Sequence, residues 1–360
     1  MAKKILVVDD SALMRRVLCD IIDTDGRFQV VARATNGLEA LDLLCRNQYD
    51  AVVLDVNMPK MNGLELLEEL RKRKISTRVI VVSTDTQEGA KTTLDALELG
   101  ALDFVPKPHS AVDCREDSFK ERLLRVLDAA ANSRLPEFEA KSKAVDSQAA
   151  ATKMAELSKK FSSKNSGSKI VAIASSTGGP KALQSVIPRL PAELDAPVLI
   201  VQHMPKGFTA SLAERLNDIS SIKVKEAAEG DELHTGTVYI AMGGMHMNVA
   251  THPTGRYTIH YSDEPAREGV KPCANYMYES LEKSSFDKIV CVVMTGMGAD
   301  GTAGIKNLKP HKNIHVITQN QATCTVYGMP KSAESAGLSN QVVPLDEIAQ
   351  EIILNVGVKN

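Results

Sequence analysis

The stretch IVAIASSTGGPKAL, Ile170–Leu183, runs from an apolar segment through two serines and a threonine into a Gly-Gly-Pro turn, and the residues after Pro180 have helical spacing. Strand, sharp turn and helix in that order make the opening unit of a parallel α/β sheet. The turn itself admits three readings: it exposes a nucleophilic hydroxyl, it cradles a phosphate, or it only turns a corner. A phosphate loop needs GxxxxGK[ST] or GxGxxG, and neither is present. Pro180 also removes an N–H where an anion would need a donor. Ala174-Ser175-Ser176-Thr177-Gly178 instead differs from the G-x-S-x-G elbow by an alanine in the first glycine position. A hydroxyl on such a turn stands clear of the sheet, and the following helix N-terminus offers N–H groups to an oxyanion. A serine there still requires a base, because its own pKa is far too high for neutral pH.

Working outward, the same strand–helix alternation continues to the C-terminal side. KIVAIA, PVLIVQ, VYIAM, KIVCVVM and IHVITQ are candidate strands, with amphipathic segments such as FTASLAERL between several of them. Residues 226–262 have few helical signals and are expected to hold a hairpin with Pro253-Thr254-Gly255 as its turn. Of the eight histidines, only His203 directly follows a long apolar strand. Asp300 lies in the glycine-rich TGMGADG turn that closes KIVCVVM. Ser176, His203 and Asp300 therefore sit on three strand-end loops, where the carboxyl ends of neighbouring parallel strands line one crevice. That arrangement suits a nucleophile, a general base and a carboxylate that orients the base. The alternatives remain a structural histidine and an aspartate that merely caps a helix. The order Ser, His, Asp differs from that of α/β-hydrolases, which points to a separate fold converging on the same chemistry.

The first 130 residues contain another five strand–helix repeats: ILVV, FQVVA, AVVL, VIVVS and DFV, each followed by an amphipathic pattern such as Leu13, Val17, Leu18, Ile21 and Ile22, or Leu38, Leu41 and Leu44. Asp9 and Asp10 end the first strand, Asp55 ends the third and Lys107 follows the fifth, with His109 nearby. Crowded carboxylates at one sheet edge repel unless a cation joins them, and oxygen-only ligands favour a hard ion such as Mg2+. A metal and an ammonium beside a carboxylate make a receiver for a phosphoryl group. Solvated strand-end acids are the plainer alternative.

Between these halves, residues 133–168 are rich in Ser, Ala and Lys and poor in large apolar residues. They cannot bury enough surface to fold alone and are expected to be a flexible linker. The expected domains are 1–132, the linker 133–168, and 169–357: two doubly wound parallel-sheet α/β domains, the second Rossmann-like with a β-hairpin. The length of 360 residues agrees with about two domains. A net charge of −2 gives no global attraction to nucleic acid or anionic membrane. No stretch reaches the roughly 18 apolar residues of a membrane span, and MAKKILVVDD has too short an apolar run for a signal peptide. The six cysteines form no CxxC pair, and several lie in apolar segments, so buried thiols are expected in a cytoplasmic protein. A monomer is expected, with no nucleic-acid partner and no membrane insertion.

VVDDS, LDVNMP, VVST and DFVPKP resemble the motifs of the response-regulator receiver family over residues 1 to about 130. The resemblance implies a flavodoxin-like receiver domain with Asp55 as phosphoacceptor. It implies Mg2+ held by Asp9, Asp10, Asp55 and the backbone of Asn57. Ser83 would contact the phosphoryl group, Lys107 would be the site lysine, and Phe104 the aromatic switch residue. ASSTGG, QHMPKGF, TGMGADG and TQNQATCTVYGMP resemble the motifs of the chemotaxis protein-glutamate methylesterases, the CheB family, from residue 169 to about 345. That resemblance implies Ser176 rather than Ser175 as nucleophile, His203 as base, Asp300 as its orienting acid, and Thr177 and Met297 shaping the oxyanion site. Methylated chemoreceptors would be the substrate, with deamidation of receptor glutamines as a second reaction, no cofactor for the esterase, and a chemotaxis histidine kinase as phosphodonor. In such proteins the unphosphorylated receiver domain restrains the esterase. Two departures stand out: Ala174-Ser175 replaces the usual Gly-Ala, and KPCANYMY replaces the usual RPSVDVLF, so Asn275 stands where Asp is common. A DNA-binding output would need a basic helix-turn-helix region, which is absent. A nucleotide-binding regulator would need Gly178-Gly179 to hold phosphate.

Overall fold

The computed structural model describes residues 2–84, 86–108, 117–135, 167–252 and 255–359. His109, Cys114, Pro253, Thr254 and most of the expected linker lie outside them. The chain divides into two units, residues 1–140 and 141–360.

In the first unit the order is β1 (Lys3–Val8), α1 (Ala12–Asp23), β2 (Phe28–Ala34), α2 (Gly37–Arg46), β3 (Ala51–Asp55), α3 (Gly63–Lys72), β4 (Val79–Thr84), α4 (Gln87–Leu99), β5 (Asp103–Lys107) and α5 (Asp117–Ala131). The strands form one parallel sheet in the order β2-β1-β3-β4-β5. Ile5–Val8, Val52–Leu54 and Ile80–Val82 are fully buried, as unbroken β-branched and leucine runs require when helices cover both faces. Each such side chain contributes about 1.5–3 kcal/mol by leaving water. Local chemistry sets the helix starts: Ser11, Asn36, Asn62 and Thr86 cap their helices through side-chain oxygens, and Asn62 with Glu65 completes a capping box. Leu13 and Leu38, expected on the apolar helix faces, are instead 59% and 49% exposed. Each lies in the first turn of its helix, where the chain has only begun to lean on the sheet.

The second unit contains β6 (Lys169–Ser175), α6 (Gly179–Val186), β7 (Val198–Gln202), α7 (Phe208–Asp218), β8 (Lys223–Glu226), β9 (Thr237–Ile240), β10 (His246–Thr251), β11 (Tyr257–Ser262), α8 (Ala274–Ser280), β12 (Lys288–Val293), α9 (Thr302–Leu308), β13 (Ile314–Gln319), α10 (Met329–Ser335), β14 (Gln341–Val343) and α11 (Ile348–Val356). Seven parallel strands form a sheet in the order β14-β13-β12-β6-β7-β9-β8. The chain leaves β6 to one side for β7 and later returns to its other side as β12. The end of β6 is therefore the point where the winding reverses, which is where α/β sheets open a crevice. β10 and β11 make the expected antiparallel hairpin. Its turn is drawn in by His252 N–H donating 2.8 Å to the Arg256 carbonyl, with Gly255 at φ +80°.

The short strands β8 and β14 carry no apolar run in the sequence. KVKE lies at one edge of the sheet and QVV at the other, where exposure tolerates polar residues. Several residues expected in the linker or past the domain end are bonded to the units. The Arg78 guanidinium donates 2.9 Å to the Ser133 carbonyl, Ser168 N–H donates 2.7 Å to Asp287, and Lys359 N–H donates 2.7 Å to the Glu193 carbonyl. Among the described cysteines, Cys19, Cys273, Cys291 and Cys324 are buried thiols and Cys45 is exposed. No helix among the described residues is long and apolar enough to cross a membrane.

Candidate functional site

In the first unit, the ends of β1, β3 and β5 bring Asp9, Asp55 and Lys107 together. The Lys107 ammonium lies 2.9 Å from Asp9 Oδ2 and 2.8 Å from Asp55 Oδ2, and all three side chains are largely buried. Ligand oxygens of Asp9, Asp10 and Asp55 lie within 4.8 Å of one another. Burial pushes the Asp55 carboxyl above its ordinary range; Lys107 opposes this and the Asp9 charge adds to it. Burial works against the Lys107 ammonium too, but Asp55 and Asp9 outweigh it and hold the lysine above its usual range.

These residues fit a hard cation. Three carboxylates crowd together and only two of them, Asp9 and Asp55, pair with the ammonium, while Asp9 Oδ2 is a buried oxygen that accepts no well-directed hydrogen bond despite the nearby lysine. Asn57 follows β3 with its N–H 3.4 Å from Asp55 Oδ1. Phe104 is buried on β5, beside Val81 of β4. Ser83 lies one residue before the end of β4 at the same sheet edge, but its hydroxyl donates 3.2 Å to the Gly89 carbonyl in the first turn of α4, not to Asp55.

In the second unit, Ser175 pairs with Gln202 across β6 and β7, so Ser176 and His203 are the next residues on adjacent strands. His203 N–H donates 3.1 Å to the Ser175 carbonyl. The two serines differ sharply. Ser175 is fully buried and its hydroxyl donates 2.7 Å to Gln202 Oε1, whereas Ser176 is half-buried at the rim. The turn is held from both sides: Ser176 N–H donates 3.0 Å to the Thr295 carbonyl beyond β12, and the Ser176 carbonyl accepts from Gly179 N–H at 2.7 Å and Gln202 Nε2 at 3.0 Å.

Glycines make this approach possible. Gly178 takes φ +77° at the start of α6. A Cβ on Gly296 would lie 2.7 Å from the Ser176 Cβ and would collide with Met329. Thr177 is buried, with its carbonyl accepting from Thr295 Oγ1 at 3.0 Å, and Met297 lies half-buried just past Gly296.

His203 Nε2 lies 2.7 Å from Asp300 Oδ2. That contact leaves Nδ1 as the nitrogen able to take a proton from a neighbouring hydroxyl. Among the described residues, Ser176 Oγ makes no hydrogen bond to His203; such bonds are often formed only when substrate closes the geometry. Asp300 is a saturated carboxylate. Oδ2 also accepts the Ala274 amide at 2.6 Å, and Oδ1 accepts the Asn275 amide at 2.9 Å, the Gly301 amide at 2.8 Å and the Cys273 thiol at 3.0 Å. Burial alone would raise its pKa, but the bond and charge of His203, then Cys273 and Ala274, outweigh it and hold the carboxyl at about 2.

Sequence reasoning missed the support around these groups. Asn275, buried, caps α9 from α8: its Oδ1 accepts from Gly301 at 3.1 Å and Gly304 at 2.7 Å, while its amide donates 2.8 Å to Glu268. His246 is fully buried at the start of β10. Gln319 Oε1 accepts the Thr295 amide at 2.8 Å. None carries a local signal; the glutamines ending β7 and β13 could have been suspected as the polar ends of apolar strands.

The chain thus joins a doubly wound parallel α/β unit with an acidic pocket at its strand ends to a second α/β unit with an acid, an imidazole and a rim hydroxyl at its winding reversal. The response regulator receiver domain model matches residues 5–117, and the CheB methylesterase model matches residues 171–352. The chain therefore belongs to the CheB methylesterase family, with a receiver domain ahead of the methylesterase domain. It is 42% identical over 356 residues to a protein-glutamate methylesterase/protein-glutamine glutaminase 1 of Syntrophomonas wolfei, covering 98% of each chain. It is 41% identical over 351 residues to the corresponding protein of Bacillus subtilis, covering 97% of each. The crystal structure of the Thermotoga maritima CheB methylesterase catalytic domain superposes with a TM-score of 0.50 at 39% identity, over 52% of this chain and 97% of that one.

Proposed function

We propose that the chain is a protein-glutamate methylesterase and protein-glutamine glutaminase of chemotaxis, working through Ser176, His203 and Asp300 under the control of its receiver domain. The observation that carries the reading is the 2.7 Å contact between His203 and the saturated Asp300 carboxylate, on the strand-end loops that flank Ser176.

Asp300 fixes the imidazole tautomer by holding Nε2–H, so that Nδ1 is the base. Ser176 Oγ attacks the γ-glutamyl methyl ester as its proton passes to Nδ1. The same nitrogen then gives the proton to the departing methoxide, releasing methanol, or to the departing amide nitrogen, releasing ammonia, where the substrate is a glutamine. Water repeats the sequence on the acyl-enzyme and leaves glutamate in both cases. Thr177 and Met297 shape the site of the developing oxyanion.

Full-length chain added to methylated chemoreceptor membranes should release methanol in step with the loss of receptor methyl groups. Membranes that keep their methyl groups under these conditions would rule the reading out.

In the receiver domain Asp55 accepts a phosphoryl group from a chemotaxis histidine kinase. Asp9, Asp10, Asp55 and the Asn57 backbone would hold Mg2+, which supplies charge stabilisation when bound. Lys107 neutralises the acceptor pocket and meets the incoming phosphoryl oxygens. The nucleotide-binding alternative is disfavoured because the Gly179 N–H, a donor a phosphate would need, is already bonded to the Ser176 carbonyl at 2.7 Å.

Control by the receiver domain predicts that Asp55→Asn stays at basal methanol release in the presence of phosphodonor. Removing residues 1–150 should raise the rate above that basal level. Equal rates for wild type, Asp55→Asn and the truncated chain would eliminate the regulatory part of the reading.

A further inference from the structure

Asp300 receives five hydrogen bonds, and three come from the short segment Cys273–Asn275. Two of those three are backbone amides that many sequences could supply. The third is the Cys273 thiol, a side-chain donor 3.0 Å from Oδ1, on the oxygen that does not hold His203. The segment is anchored behind the site. Cys273 N–H donates 3.2 Å to His246 Nδ1, His246 Nε2 lies 3.2 Å from the Pro265 carbonyl, and the Tyr276 ring centroid is 4.4 Å from that of His246. These partners require His246 to be neutral with its proton on Nε2.

We propose that Cys273 is a positioning residue of the esterase centre, its thiol acting through Asp300 to set the orientation and basicity of His203. The proposal rests on the catalytic reading of Ser176, His203 and Asp300 given above.

A donor on Oδ1 draws negative charge away from Oδ2 and so moderates the carboxylate's hold on an imidazolium. A base held too tightly in its protonated form would be slow to return the proton to the leaving group. The thiol is suited to this because it stays protonated: burial, then the Asp300 charge, push it well above the usual cysteine range. It is also fully buried, unlike thiols that serve as nucleophiles or redox sensors. Other titratable groups near this chain of contacts are the Tyr278 phenol toward Asp300, Arg267 toward Cys273, Glu268 toward Asn275, and Lys271, Glu264, Asp263 and Tyr276 toward His246.

The test uses the full-length chain and its Cys273→Ala and Cys273→Ser variants. Methanol release is followed against pH, and the His203 imidazole is titrated by NMR. Cys273→Ala should lower kcat about three- to tenfold with KM unchanged. Its acid limb and the His203 midpoint should move up together by about half a pH unit. Cys273→Ser, which keeps a donor, should restore both.

A second measurement does not depend on the alanine variant folding. The infrared S–H stretch of the wild-type chain, assigned by difference from Cys273→Ser, should lie below that of a free alkyl thiol. An unshifted S–H band, or a His203 midpoint unmoved in Cys273→Ala, overturns the role of Cys273 while leaving the esterase reading intact. A wild-type chain inactive on methylated receptor membranes overturns the reading on which the proposal rests.

Discussion

Ser176→Ala should reduce methanol release from methylated receptor membranes to background, a loss on the order of 10⁵- to 10⁶-fold in kcat. The size follows from the absence of a substitute. Ser175 is the adjacent hydroxyl, but it belongs to the buried end of β6 and its proton is committed to Gln202 at 2.7 Å. Alternation along a strand sends its side chain to the other face, so it cannot reach a substrate that Ser176 would have attacked. Receptor binding should survive, because the variant removes one half-buried oxygen and leaves the backbone bonds of the turn in place. Residual release comparable with wild type would place the chemistry elsewhere in the chain.

Asp300→Asn should cost about 10³- to 10⁴-fold in kcat for a different reason. The amide has nearly the shape of the carboxylate, but it carries one oxygen and one NH₂ group. The Ala274, Asn275 and Gly301 amides and the Cys273 thiol all donate toward this side chain, so an NH₂ group would face donors on either side. His203 would lose the acceptor that fixes its tautomer.

The same residue ties stability to pH. Its folded pKa of about 2 lies below the ordinary carboxylate value of 3.8. The resulting stabilisation is therefore fully present above about pH 4 and is lost as pH falls toward 2. Its size is about 2–3 kcal/mol, from about 1.4 kcal/mol per pKa unit. Urea midpoints measured from pH 5 to 2 should fall more steeply for the wild type than for Asp300→Asn, and parallel curves would contradict a salt-like Asp300.

The parts of the molecule that could be read from the sequence share one trait. β6, β7 and β12 are continuous apolar runs, and Ser176, His203 and Asp300 each follow one of them, so the apolar pattern alone puts all three on strand-end loops. β8 and β14 were not legible because an edge strand needs only one neighbour and one buried face, and KVKE or QVV satisfies that without a pattern. The burial of His246 and the Cys273–Asp300 contact were hidden for another reason. Their partners lie 27 residues away in each case, and only the folded hairpin and α8 bring them together. Asn275, read as a departure in a segment whose contacts were unknown, is satisfied on both ends of its amide as the cap of α9.

The backbone N–H of Ser176 is spent on the Thr295 carbonyl at 3.0 Å. In many serine hydrolases the attacking residue lends its own amide to the nascent alkoxide, and here that amide is already occupied. With Ser176 as the nucleophile, attack and charge reception would therefore fall to different residues. A sulfur in place of the Ser176 oxygen would change the attacking atom and leave the charge-receiving groups where they are, so a cysteine variant would compare the two atoms against an unaltered electrostatic background.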